Sequence, residues 1–97
     1  MLVELIVPCY NESAVLRMFY DESCKVINSI KEYDFNFIFI DDGSKDDTLS
    51  IMKKLAEEDE RVKYISFSRN FGKESAMYAG LKNSKGDYAV VMDADLQ

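Results

Sequence analysis

Four short apolar runs recur along the chain, and between them the apolar residues return every three or four positions. Runs with strand character alternating with stretches of helical period leave few architectures open. Val3 to Pro8 is an apolar run that stops at a proline. Residues 12–32 switch period, with Val15, Leu16, Phe19, Val26, Ile27 and Ile30 on one face and Asn11 or Ser13 as candidate N-cap. Phe35 to Ile40 (FNFIFI) is aromatic and β-branched. Thr48 to Glu58 places Leu49, Met52, Leu55 and Ala56 on one helical face, behind Asp46 or Asp47 as a cap. Val62 to Ser68 reads as a third strand and residues 73–84 as a third helix, weakened by Gly80 inside it. Lys85-Gly86-Asp87 is a turn before a last strand, Tyr88 to Met92. The order βαβαβαβ predicts an α/β fold: a Rossmann-like three-layer sandwich around a mostly parallel sheet with right-handed crossovers.

In such sheets ligands bind at the carboxyl ends of the strands. Those ends are where the polar clusters of this chain fall. Strand one runs into Pro8-Cys9-Tyr10-Asn11-Glu12, strand two into Asp41-Asp42-Gly43-Ser44, strand three into Arg69-Asn70-Phe71-Gly72-Lys73, and strand four into Asp93-Ala94-Asp95-Leu96-Gln97. If the chain stays extended past strand four, Asp93, Asp95 and Gln97 share a face. Two carboxylates and an amide oxygen are hard donors suited to Mg²⁺ or Mn²⁺. An isolated D-x-D is more often a solvated turn. The apolar strand before this one improves its odds as a site. Asp-Gly after strand two is a turn signal, but it leaves two adjacent acids unexplained, and one carboxylate could accept from a nucleobase N–H. Tyr10 could pack on a base and Glu12 accept from it. Gly72-Lys73 at a helix start, with Arg69, could face phosphate. Neither a Walker A nor a G-x-G-x-x-G pattern is present.

Composition removes other classes. The net charge of -6 is poorly suited to a nucleic-acid backbone. With no histidine, Ser-His-Asp and Cys-His catalysis and His-based zinc sites are excluded within this stretch. Cys9 and Cys24 are too few for a disulfide framework and fit buried apolar positions. The N-terminus has no signal-peptide pattern and no run approaches the ~20 apolar residues of a membrane span, so a soluble cytoplasmic chain is expected.

Order and spacing of the four motifs together resemble the family 2 glycosyltransferases of GT-A fold. The match runs from IVPCYNE through IDDGSKDDT and SRNFGKESAMYAGL to VMDADLQ. Within that family the chain is most similar to the polyprenyl-phosphate glycosyltransferases, the bactoprenol glucosyltransferases and dolichol-phosphate mannosyltransferase among them. The resemblance implies that Pro8, Tyr10 and Glu12 line a nucleobase pocket. It places Asp42 against the base with Asp41 holding the loop, and Asp93 near ribose and metal. Asp95 and Gln97 would ligate the Mg²⁺ or Mn²⁺ that bridges the diphosphate. Arg69 and Lys73 are nucleotide-binding assignments of the same kind.

The implied reaction is transfer of a sugar, with inversion, from a UDP- or GDP-sugar to a lipid phosphate. No catalytic base is identifiable. The resemblance also implies that a donor-sugar pocket, an acceptor site and a membrane-associated part follow Gln97. Residues 1–97 are then the nucleotide-sugar-binding N-terminal portion of a truncated catalytic domain, inactive alone. The parent would work at the cytoplasmic face of a membrane, and its oligomeric state stays open. Nucleotidyltransferases carry a Gly-rich basic loop after strand one, where this chain has CYNES. A receiver-type signalling domain places its acid pair after the first strand rather than the second. A non-catalytic nucleotide-binding module is the remaining alternative.

Overall fold

The computed structural model describes residues 1–95. Seven elements follow in order: β1 (Leu2–Cys9), α1 (Leu16–Ser29), β2 (Asp34–Asp41), α2 (Thr48–Glu58), β3 (Val62–Ser66), α3 (Lys73–Asn83) and β4 (Tyr88–Val91). The strands form one sheet in the order β3-β2-β1-β4, and every pairing is parallel. The chain therefore steps outward from β1 to β3, then crosses back to lay β4 on the other side of β1. Right-handed crossovers put helices on opposite faces when that direction reverses. Accordingly α1 and α2 pack on one face and α3 on the other.

Period two in FNFIFI explains how one strand serves both layers. Phe37 and Phe39, with Phe35 partly buried, join Leu5, Val7, Leu16, Phe19, Met52 and Leu55 in the larger core. Ile38 and Ile40 point the other way, to Ile6 and Ala76. Phe37 and Phe39 stack at 5.4 Å, Phe19 meets Phe39 edge-on at 6.4 Å, and Tyr20 tilts onto Phe37 at 5.4 Å. Each such pair adds about 0.5–1.5 kcal/mol beyond its buried area.

Several expectations change. The first helix starts at Leu16, after Val15, with no side-chain cap, so neither Asn11 nor Ser13 serves as N-cap. Its buried stripe is Leu16, Phe19, Tyr20, Ser23 and Ile27, while Val26 is 60% exposed. Apolar character alone placed Val26 inward; the angle set by Phe19 and Ile27 turns it out. Pro8 does not end β1, which continues to Cys9 opposite Asp41. Pairing with β4 stops at Ile6, so the absent N–H of Pro8 interrupts no pair there.

Gly80, a weakness for a helix by propensity, has a packing reason. A Cβ there would lie 2.4 Å from Ile6 Cγ2 and 2.9 Å from Ile40 Cδ1. The bare backbone lets α3 lie directly on the sheet. β4 is an edge strand among the described residues, with Tyr88, Val90 and Val91 exposed. No described helix is long and apolar enough to cross a membrane.

A candidate nucleotide and metal cleft at the carboxyl ends of the strands

Strand direction brings the ends of β1, β2 and β4 to one edge of the sheet. A cleft of about 220 Å³ opens there, lined by Pro8, Cys9, Tyr10, Glu12, Asp42, Lys73, Asp93, Ala94 and Asp95. Seven of the expected site residues thus meet in one place. Asp41 and Arg69 are not among the lining residues, and Gln97 lies outside the described residues.

The first two loops are stitched together by short polar side chains. Asn11 N donates to Ser44 Oγ at 2.9 Å, and Lys45 N returns a bond to Asn11 Oδ1 at 2.8 Å. Glu12 N donates to Thr48 Oγ1 at 2.9 Å and Ser13 N to Asp46 Oδ2 at 3.2 Å. Asn11 adopts φ 53°, a left-handed conformation that asparagine tolerates better than most residues. None of these bonds uses the Glu12 side chain, which lines the cleft. Ser44, Asp46 and Thr48 therefore have a loop-holding role that their run, DGSKDDT, hid behind ordinary turn and cap chemistry.

The aspartate pair divides its work. Asp41 is buried and accepts from Ser44 N at 3.0 Å, closing its own turn. Asp42 reaches across to the third loop: Oδ1 accepts from Phe71 N at 2.8 Å, and Oδ2 from Gly72 N at 3.1 Å and Asn70 Nδ2 at 3.4 Å. Backbone donors before α3, expected to face phosphate, are thus occupied by a carboxylate of the protein. Gly43 makes the crossing feasible. Its φ is +72°, and a Cβ there would lie 2.2 Å from the Arg69 carbonyl carbon. Arg69 itself lies over the Phe71 ring at 4.5 Å, and Phe71 meets Phe67 edge-on at 5.6 Å.

Asp42→Ala removes the acceptor of two backbone donors and leaves their desolvation uncompensated, a cost of about 1–3 kcal/mol. Amide hydrogen exchange at Phe71 and Gly72 is expected to accelerate while exchange in β1 and β2 stays slow. Unchanged exchange at both amides counts against the tether.

Asp93 and Asp95 reach the cleft by a route other than the expected one. β4 ends at Val91 and the chain turns at Ala94 and Asp95, so the extended alternation does not continue. Ala94 is buried in the larger core, which pins the turn and leaves both aspartates exposed on the cleft side. Asp93 Oδ1 accepts from Lys73 Nζ at 2.7 Å. That bond and the Asp93 charge raise the Lys73 pKa. The Glu12 carboxyl is pushed up by burial first, then by the charges of Asp95, Asp46 and Asp93.

Acidic neighbours that disfavour ionisation of Glu12 at the cleft make a field suited to a cation. Their oxygens are hard donors, so the residues present fit Mg²⁺ or Mn²⁺. Among the described residues no three acidic side chains are gathered into a ready cage. Such an ion would draw part of its shell from elsewhere, as Mg²⁺ commonly does from substrate phosphates. Cys9 sits beneath the cleft as a buried free thiol, its pKa raised by burial and by Glu12 and Asp41.

Known proteins share both the sequence and the architecture. CsbB of Bacillus subtilis (strain 168) is 49% identical over 96 residues, which is 99% of this chain and 29% of that protein. A bactoprenol glucosyl transferase of Shigella phage SfV is 43% identical over 97 residues, all of this chain and 31% of the relative. The chain thus spans less than a third of the length of these relatives. Among solved structures, a mannosyltransferase from Pyrobaculum calidifontis, in complex with GDP-Man and Mn²⁺, superposes with a TM-score of 0.80. It is 26% identical, and the superposition covers 96% of this chain and 27% of that one. The expected α/β, GT-A-type arrangement agrees with this. The model for "Glycosyl transferase family 2" matches residues 4–97, and the chain belongs to that family.

Proposed function

We propose that this chain forms the donor-nucleotide part of a glycosyltransferase that moves a sugar from a UDP- or GDP-sugar to a polyprenyl phosphate. The observation that carries the reading is the cleft itself. It pools Tyr10, Glu12 and Asp42 from the ends of β1 and β2 with Asp93 and Asp95 after β4, and with Lys73. Its volume of about 220 Å³ is below the ~300–1,000 Å³ of complete ligand pockets, which suits a part of a site. The relatives named for bactoprenol glucosyl transfer support the acceptor class.

In this reading Tyr10, 41% exposed, offers a ring to the base, and Glu12 an acceptor. Pro8 forms the floor beside them, and Asp41 and Asp42 hold the second and third loops. Arg69 stays at the rim on Phe71. Lys73 supplies positive charge to the diphosphate. Asp93 and Asp95, with Gln97 as a further candidate, would hold Mg²⁺ or Mn²⁺. When bound, that ion neutralises charge developing on the leaving nucleoside diphosphate.

The glycosidic C–O bond breaks with its electron pair going to the diphosphate. A lipid-phosphate oxygen forms the new C–O bond from the opposite face, inverting the anomeric carbon. A phosphate acceptor is already anionic at neutral pH and needs no general base to activate it. Membrane association, in the same reading, comes through residues outside this stretch.

The test is transfer of labelled sugar from UDP- and GDP-sugars to undecaprenyl phosphate, using the shortest form of the protein that retains activity. Label in the lipid phase that disappears with chelator is the expected result. Incorporation from no nucleotide sugar, or full transfer in excess chelator, refutes the corresponding half of the proposal.

A further inference from the structure

We infer that Lys73 is a displaceable counter-ion for the metal site: it holds Asp93 while the cleft is empty and yields it when metal and nucleotide arrive together. The inference rests on the nucleotide-sugar reading above and adds a coupling that the reading does not require. Lys73 Nζ lies 2.7 Å from Asp93 Oδ1, within the group of residues where a divalent cation would sit. The backbone before Lys73 is anchored, since Phe71 N and Gly72 N are both bound by Asp42. Its side chain is not: Lys73 and Asp93 side chains are 60% and 45% exposed. A contact so exposed is weak and easily exchanged.

An ammonium and a divalent cation on the same carboxylate repel each other, so metal alone must first displace Lys73. A diphosphate changes the balance by giving the freed ammonium a new anionic partner within reach of its four-carbon stem. Metal and nucleotide then each favour the binding of the other, as linkage requires. Lys73 in this role acts on the metal through Asp93 and, once freed, on the diphosphate directly.

The experiment titrates Mn²⁺ into the whole protein and follows the free ion by electron paramagnetic resonance, alone and with saturating UDP or GDP. Lys73→Met and Lys73→Gln are expected to bind Mn²⁺ alone about three- to tenfold more tightly than the unmodified chain. The gain produced by nucleotide is expected to shrink by a similar factor. Lys73→Arg, which keeps the charge, should track the unmodified chain. Neutral variants that bind Mn²⁺ alone equally or more weakly overturn the exchange while leaving the nucleotide-sugar reading intact. An unmodified whole protein that binds no Mn²⁺ with either nucleotide overturns that reading and the exchange with it.

Discussion

Asp95→Asn, introduced into the shortest form of the protein that transfers sugar, is expected to lower the transfer rate on the order of a hundredfold or more while leaving the fold intact. The physical basis is local. Asp95 is exposed on the cleft, follows the buried Ala94 that pins its turn, and contributes to raising the Glu12 pKa. Asparagine keeps the size and one oxygen but removes the negative charge. A metal ligand that stabilises leaving-group charge is worth several kcal/mol in the transition state, and each 1.4 kcal/mol is tenfold in rate. The loss should fall mainly on kcat at saturating Mn²⁺, with circular dichroism and thermal midpoint near those of the parent. A variant that retains more than half of the parent rate removes Asp95 from the metal site.

The second large effect lies at the other end of the sheet. Glu4 is 1% exposed, on the α3 face of β1. There its Oε1 accepts from Gly86 N at 2.8 Å, from Ser84 Oγ at 2.9 Å and from Lys85 N. One carboxylate thus closes the turn that aims β4 back along β1. Glu4→Ala leaves three donors without their acceptor and opens a void, and the expected loss is about 3–5 kcal/mol. A domain of this size has only about 5–15 kcal/mol in total, so the variant should be marginal at room temperature. Urea denaturation of the 97-residue chain measures it, and a loss under 1 kcal/mol rejects the account.

Acid should act on the same contact. Burial raises the Glu4 pKa, but the bonds from Lys85, Ser84 and Gly86 and the charge of Lys63 outweigh it, leaving the folded value below 4.5. A depressed carboxylate stabilises the fold above its unfolded pKa, and that contribution is lost as pH falls through the folded value. Asp59 behaves alike: the Arg61 side chain, against opposing burial and with help from Tyr20, lowers it from 3.8 to about 2. Stability should therefore decline from about pH 4.5 down to about pH 2, and Glu4→Gln should flatten the upper part of that slope.

The alternation of period two and period 3.6 was enough to place all seven elements and the parallel sheet. Those periods report which face of each element is apolar, and burial of such faces is the dominant drive to fold. The four polar clusters were legible directly after the apolar strands, but much of their chemistry turns out to hold loops: Asn11, Asp41, Asp42, Ser44 and Thr48 all do so. Element ends and side-chain partners were less legible. Val26 is apolar like Ile27 yet faces water, since the helix angle is set by Phe19, Tyr20 and Ile27 packing on the sheet.

What the sequence carried by itself, then, was the class of fold, through the period within each segment, and the resemblance to the family, through the order and spacing of four motifs along the chain. Only the tertiary structure decided which acid does what. Asp42 grips Phe71 and Gly72, 29 and 30 residues away; Ser44 and Thr48 grip the first loop; Glu4 closes a turn 80 to 82 residues downstream. A carboxylate's partner is whichever donor the packed sheet brings within about 3 Å, and that distance is a property of the assembled layers, not of neighbours along the chain.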